Sequence, residues 1–514
     1  MIRRVVVLLP ALKSHHRDRK PEHRAMKSFF AAIIALAFGC ARASTHENNR
    51  ATLEASTRPA SETSTVFTAE SGETVTAFAG SYEVPENRSA ADSRVLMLHY
   101  VRFPSTATRR GPPIVYLAGG PGGSGIETAQ GRRFPLFMAM REFGDVIALD
   151  QRGTGASNDL PECVSPFVPD DGVAMSDAEF IAMHQEALRW CLEFWRRQDF
   201  DLRGYTTHES VDDLEALRVH LEAEKLSLWG TSYGSHLSLA ALKKMGDRIE
   251  RAVLSSVEGL DQTIKRPART DDYFRRLQHA IDTNKGVHKT YPDIVPMIRR
   301  VHARLDEKPL RVSVPRSDGD AIPIVVQSRT LRLYASALIS DPDRAMHLLA
   351  VYEGLDRGDP SAAVALFERW PHFNQAISMP PMSVIMDISS GITAKRRAQI
   401  EAEIEHALLR SFLNFTIHFF DVAPGADLGD DFRAKPVSDV PTLVLSGTLD
   451  GRTYIESQLE ATSELSGRQA VTVKNAGHNL FMSSPEVTAT IQAFMRGEDV
   501  DGRVIDVPLL FDKP

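Results

Sequence analysis

Two rhythms of apolar residues divide this chain. In the first, short apolar runs stop at Gly, Ser or Asp: Ile114 to Leu117 in PPIVYLAGG, DVIALD (145–150), KLSLW (225–229), IERAVLSS (249–256), Thr442 to Ser446 in VPTLVLSG, and QAVTVK (469–474). Runs this short, bounded by turn formers, predict strands covered on both faces, as in a parallel sheet. In the second rhythm apolar residues recur every three or four positions, as in DYFRRLQHAI (272–281), VPMIRRVHARL (295–305), RTLRLYASALI (329–339) and RAQIEAEIEHALLRSFLNF (397–415), which predicts amphipathic helices. One hairpin with an Asp-Gly turn, LRVSVPRSDGDAIPIVV (310–326), interrupts them. The rhythms are segregated. Strand signals fill residues 60–260 and 435–505, and helical signals fill 261–434. The expectation is a doubly wound, mostly parallel α/β sheet split by a large, mainly helical insertion. With 514 residues, 43% of them hydrophobic, the chain is long enough to bury both parts.

The strand KLSLW runs into Gly-Thr-Ser-Tyr-Gly (230–234) and then into SHLSLAALKKM (235–245), which has helical spacing. A Gly-X-Ser-X-Gly turn between strand and helix is how a chain exposes a serine as a nucleophile, here Ser232. A hydroxyl needs a base, and the base needs an orienting carboxylate. Asp450 and His478 follow in the order Ser, Asp, His, each just past the carboxyl end of a predicted parallel strand, where open α/β sheets gather their reacting groups. His236, four residues beyond Ser232 on the following helix, points away from the turn and is rejected as the base. Gly119, Gly120, Pro121, Gly122 and Gly123 follow another strand and let backbone approach a substrate. The N–H groups of Gly120 and Tyr233 are the expected oxyanion donors, with Gly119 and Gly122 as substrate contacts. A phosphate cradle would need Lys and Ser or Thr after these glycines, and AGGPGGSG has no Lys there.

The set AGGPGGSG, DQRGTGAS (150–157), YTTHESVDDLEALR (205–218), GTSYG, SGTLD and GH resembles the α/β-hydrolase family of proline iminopeptidases and secreted tripeptidyl aminopeptidases. The resemblance implies an α/β-hydrolase fold with residues 60–260 and 435–505 as the catalytic domain and 261–434 as a cap inserted before the Asp strand. It also implies Ser232 as nucleophile, Asp450 as acid and His478 as base, with Asp150 and Arg152 in a structural loop near the site. No metal and no organic cofactor are called for. The departures concern substrate. Ala118 stands where many iminopeptidases have His, LSSVEGLD replaces a Leu-Asp-Gly, and SVIMDISSG lacks a cysteine found in the tripeptidyl enzymes' cap. A small peptide or an ester therefore remains open as substrate, the alternative being a carboxylesterase or other acyl hydrolase. A carboxylate near the site would discriminate, since a free amine needs an anionic anchor. Glu258, just past IERAVLSS, is the candidate.

Residues 26–43, MKSFFAAIIALAFGCARA, read as a secretory signal cleaved before Ser44, with Met26 as an alternative start to Met1 and the basic residues before it as an extension. Their apolar run is too short for a transmembrane span. The expectation is export to a periplasm or the exterior, lipid attachment through Cys40 being the rival reading. Export leaves Cys163 and Cys191 as the only other cysteines, and in an oxidising compartment these can form a disulfide; two buried thiols are the alternative. Without residues 1–43 the formal charge falls from −7 to −14, which argues against nucleic acid and anionic membrane as partners.

Overall fold

The computed structural model describes residues 62–316, 319–370 and 372–509, so the secretory-signal reading, Cys40 and Ser44 lie outside the described residues. A ten-stranded sheet has the order β1-β2-β3-β5-β4-β7-β8-β12-β13-β14. Three antiparallel strands begin it: β1 (Thr63–Thr68), β2 (Thr74–Pro85) and β3 (Val95–Phe103). Parallel strands follow, namely β4 (Gly111–Leu117), β5 (Gly144–Leu149), β7 (Leu226–Thr231), β8 (Ile249–Ser255), β12 (Thr442–Gly447), β13 (Arg468–Lys474) and β14 (Val504–Asp506). Every residue of β7 and β12 is buried, whereas β3 alternates buried with exposed positions at its start. This contrast follows from coverage: helices lie on both faces of the parallel part, while the antiparallel end keeps one wetter face.

Chain direction across the sheet reverses between β4 and β7. From β4 the chain moves outward to β5 and β3's side, then returns to lay β7 on β4's other edge, with Ile114 to Leu117 opposite Ser227 to Gly230. Loops leaving the carboxyl ends of two such strands splay apart, which makes that crevice the place where open α/β sheets bind ligands. Trp229 and Tyr116 fill the sheet beneath it, their rings 4.7 Å apart, and Phe137 packs on Trp229 at the same distance.

Between β8 and β12 the helices Pro267–Asp282, Ile294–Glu307, Ser328–Leu338, Pro342–Arg357 and Ser361–Arg369 surround an apolar cluster of their own, joined by the hairpin of β9 (Leu310–Pro315) and β10 (Ala321–Val326). Pro381–Ser390 instead packs Met382, Ile385 and Met386 into the cluster of the sheet, and Ala394–Ile404 puts Ile400 in a smaller one. The periodicity of residues 397–415 predicts one continuous helix, and the structure breaks it after Ile404 into a 3-10 segment, Arg410–Phe419. Asn414 leaves helical geometry because its side chain both accepts from the Lys265 N–H (2.8 Å) and donates to the Lys265 carbonyl. A short amide competes with the helix for backbone partners, and here it wins. Cys163 and Cys191 are joined in a disulfide. It ties the helix Asp177–Arg196 to β6 (Cys163–Val164), which pairs with β11 (Ser378–Met379) at the start of the segment leading into Pro381–Ser390.

Candidate active site

Ser232 sits between β7 and the helix Tyr233–Met245 at φ 52°, ψ −127°. A residue with a Cβ costs roughly 1–3 kcal/mol in such a region, so the surroundings must hold it there. They do so through close packing: a Cβ at Gly230 would overlap the Gly234 carbonyl, and one at Gly234 would overlap that of Leu117. The Ser232 carbonyl accepts from the Ser235 N–H at 2.8 Å and the Ser235 hydroxyl at 2.5 Å. The serine is half-buried, and its own N–H donates to Ser255 at 3.2 Å.

Asp450 is fully buried in the turn after β12. Its Oδ1 accepts from the N–H groups of Arg452 and Thr453, both at 2.8 Å, and its Oδ2 from the Thr453 hydroxyl at 2.7 Å. His478 Nδ1 lies 3.0 Å from Oδ2. Burial pushes the Asp450 carboxyl upward, but the His478 charge, its hydrogen bond and the Thr453 donors outweigh burial and hold it below the usual value. An ionised Asp450 fixes Nδ1 as the protonated nitrogen and leaves Nε2 as the acceptor. The His478 carbonyl in turn accepts from Ser256 Oγ at 2.8 Å, one residue beyond the Ser255 carbonyl that receives the Ser232 N–H. The structure thus joins Asp450 to His478 directly and brings Ser232 to the same sheet edge, with no hydrogen bond formed between Ser232 Oγ and His478. Such contacts commonly tighten only around substrate.

Gly119 lies against the nucleophile: a Cβ there would stand 3.0 Å from Ser232 Cβ. Gly120 and Gly122 have φ of +129° and +107°, and Gly123 N–H closes the loop on the Gly119 carbonyl at 3.0 Å. Among the described residues neither the Gly120 N–H nor the Tyr233 N–H donates to a protein acceptor. Gly122 faces the insertion instead, where a Cβ would meet Ser383 Oγ at 3.4 Å. Asp150 and Arg152 are committed to structure. Asp150 accepts from Ser124 Oγ (2.6 Å), Ile126 N–H (3.0 Å) and Ala156 N–H (2.8 Å), and fully buried Arg152 pairs with Asp213 at 2.6 Å. His236 uses both ring nitrogens, on the Gly259 carbonyl and Ser390 Oγ, each at 3.2 Å, and burial keeps its pKa low.

A cavity of about 310 Å³ opens beside this loop, with Gly120, Pro121, Glu258, Lys265, Asp387 and Arg452 in its wall. Glu258 is 6% exposed and pairs with Lys265 Nζ at 2.9 Å. Asp387, on the helix Pro381–Ser390, is pushed up to about 7, first by burial and then by the Glu258 charge, with Lys265 and Arg452 opposing. Sequence reasoning missed Asp387, Lys265 and Ser256. For Asp387 a signal existed: it is the one charged residue in the helix PMSVIMDISS, and an acid alone in an apolar helix is costly unless used.

The family described as alpha/beta hydrolase fold matches residues 112–291, and the one described as TAP-like protein matches 426–504, so the two matches take in β4 through β8 and β12 through β13 with all three candidate residues. The chain is an α/β hydrolase. Serine protease Hip1 of Mycobacterium tuberculosis is 25% identical over 439 residues, covering 76% of this chain and 79% of that protein. The tripeptidyl aminopeptidase of Streptomyces coelicolor is 30% identical over 193 residues, 35% of this chain and 34% of the relative. A probable proline iminopeptidase of Leptolyngbya boryana is 28% identical over 168 residues, 32% of this chain and 37% of the relative. As an α/β hydrolase with a serine at the elbow, the chain is an enzyme of the serine hydrolase kind.

Proposed function

We propose that this hydrolase is an exported serine aminopeptidase that releases N-terminal proline or short peptides through an acyl-enzyme, with residues 261–434 as its cap. The observation that carries the choice of substrate is the acid pair Glu258 and Asp387 in the cavity wall that also includes Gly120. A protonated amino terminus entering that cavity meets one carboxylate already balanced by Lys265 and a second, Asp387, which forms no ion pair among the described residues. The ammonium supplies the missing charge, and a charge-assisted hydrogen bond of this type contributes about 1.5–3 kcal/mol. An ester gains nothing from the pair.

In this reading His478 Nε2 takes the Ser232 proton as Oγ attacks the carbonyl carbon, and Asp450 stabilises the imidazolium through Nδ1 without itself being protonated. The carbonyl oxygen becomes an oxyanion facing the Gly120 and Tyr233 N–H groups. His478 returns the proton to the leaving amine as the C–N bond breaks, and water repeats the sequence on the acyl-enzyme. Export rests on the signal-like residues 26–43 and the Cys163–Cys191 disulfide, which suits an oxidising compartment. Comparing prolyl, alanyl and tripeptidyl arylamides with their N-acetylated forms and with p-nitrophenyl esters tests the proposal. Strong preference for free amines is expected; equal or better turnover of blocked amides and esters would replace it with the carboxylesterase reading.

A further inference from the structure

The turn Ile339–Asp341 joins two helices of the insertion, Ser328–Leu338 and Pro342–Arg357, and three independent contacts place the loops of Asp450 and His478 on it. The His478 N–H donates to the Ser340 carbonyl at 2.8 Å. Asn479 donates its N–H to Asp341 Oδ1 at 3.1 Å and its side-chain amide to Asp341 Oδ2 at 2.8 Å. The glycines beside the two residues press on the same turn: a Cβ at Gly451 would overlap the Ile339 carbonyl, and one at Gly477 would stand 2.5 Å from Asp341 Oδ1. Arg452 adds a further tie, Nη1 donating to the Ser336 carbonyl at 2.8 Å.

Asp341 has an ordinary alternative use that it does not take. It occupies the N-cap position of Pro342–Arg357, where an aspartate normally accepts from the second or third N–H of its own helix, and no such bond is formed. Its carboxylate is turned to Asn479 instead. A helix start gives up its cap in order to hold the residue next to the histidine.

We propose that the Ile339–Asp341 turn is the seat that sets the position of His478 toward Asp450 and Ser232, with Asp341 as the positioning residue. The inference rests on the reading of Ser232, His478 and Asp450 as the reacting triad. Asp341 touches none of the reacting atoms and acts through Asn479 and the backbone of His478. The helix Ser328–Leu338, which runs into the seat, also contributes Arg329, Thr330 and Tyr334 to the cavity wall, so one rigid element spans the substrate cavity and the base.

The test compares Asp341→Ala, Asp341→Asn and Asn479→Ala in the full chain, each normalised to folded protein by circular dichroism, with Ser232→Ala as a separate control. Substrates are p-nitrophenyl acetate, which leaves the cavity unfilled, and a peptide arylamide. Misplacing a catalytic group by about 1 Å costs on the order of 10² in rate. Asp341→Ala and Asn479→Ala should therefore lower kcat by roughly 10–100 fold on both substrates with KM nearly unchanged, and slow labelling of Ser232 by a fluorophosphonate by a similar factor. The acid limb of the kcat/KM profile should move to lower pH, because an imidazolium poorly aligned with Asp450 loses its proton more readily. Asp341→Asn should recover most of the activity, since its amide oxygen still accepts the Asn479 N–H. Unchanged kcat in folded Asp341→Ala and Asn479→Ala, a loss confined to KM, or a loss that only tracks the unfolded fraction with no movement of the acid limb would each overturn the seat. Activity retained by Ser232→Ala would instead sink the triad reading, whatever the Asp341 variants do.

Discussion

Replacing Asp387 with Asn exchanges a buried carboxyl for an amide of nearly equal volume, so packing is kept and only ionisation is removed. Burial and the neighbouring Glu258 push this carboxyl from 3.8 up to about 7. An acid raised in this way keeps its proton in the native state while the unfolded chain loses it. Its stabilising share is full below pH 3.8 and is lost as pH rises through about 7. At about 1.4 kcal/mol per pH unit, the two units between pH 5 and 7 correspond to roughly 3 kcal/mol. Urea unfolding of both proteins at pH 5, 6, 7 and 8 reads this directly: stability of Asp387→Asn relative to the parent should rise by roughly that amount across the series. Activity should move in the opposite direction, with KM for a free-amine arylamide at pH 8 rising about 10–100 fold and an N-acetylated substrate unaffected. A stability difference that does not vary with pH would refute the reasoning, because Asp387 would then not be carrying a proton near neutrality.

Ser232→Ala should leave the fold intact and lower turnover by about 10⁴–10⁶, and a variant retaining a tenth of the activity would exclude Ser232 as nucleophile. Glu258→Gln should raise KM for free-amine peptides by roughly 10–100 fold and leave neutral esters alone; equal losses on both would mean that the pair with Lys265 supports structure rather than substrate. The intact protein should weigh two hydrogens less than its fully reduced form, and two thiols titrating in denaturant without reductant would contradict the Cys163–Cys191 bridge.

The fold was legible where burial is written into local rhythm. The short apolar runs of β7 and β12, bounded by turn formers, read as strands covered on both faces, and every residue of the two is buried; the carboxyl ends of such strands pointed to where Ser232, Asp450 and His478 would stand. The cysteine pair was legible by elimination once export was read from residues 26–43. Other features depend on partners far away in the chain, which periodicity does not report. The helix expected through residues 397–415 ends at Ile404, and the 3-10 segment that follows kinks at Asn414, which bonds Lys265, 149 residues earlier. Asp341 stands at the N-cap position of Pro342–Arg357 and is spent on Asn479, 138 residues later. Glu258 was found as a carboxylate past a strand end, but its ion pair with Lys265 and its neighbour Asp387 come from the fold.

Asp341, through Asn479, and Ser383, through Pro121, join the segment between β8 and β12 to loops at the edge of the sheet. Asp387 brings charge to the substrate cavity from the helix Pro381–Ser390, and Ser383 on the same helix donates to the Pro121 carbonyl at 2.8 Å, within the loop proposed to hold the oxyanion. Ile339–Asp341 grips the loops of Asp450 and His478 from a second helix pair. A lid that merely covered the site could be altered without consequence for small esters, which need no cavity. An insertion that grips both the oxyanion loop and the base cannot. Under the proposed triad and seat, changes in its packing should register in kcat even for the smallest substrate, and a peptide filling the cavity would bear on the same helices that hold the proposed catalytic groups, which makes selection of substrate and alignment of the triad one mechanical event in that reading.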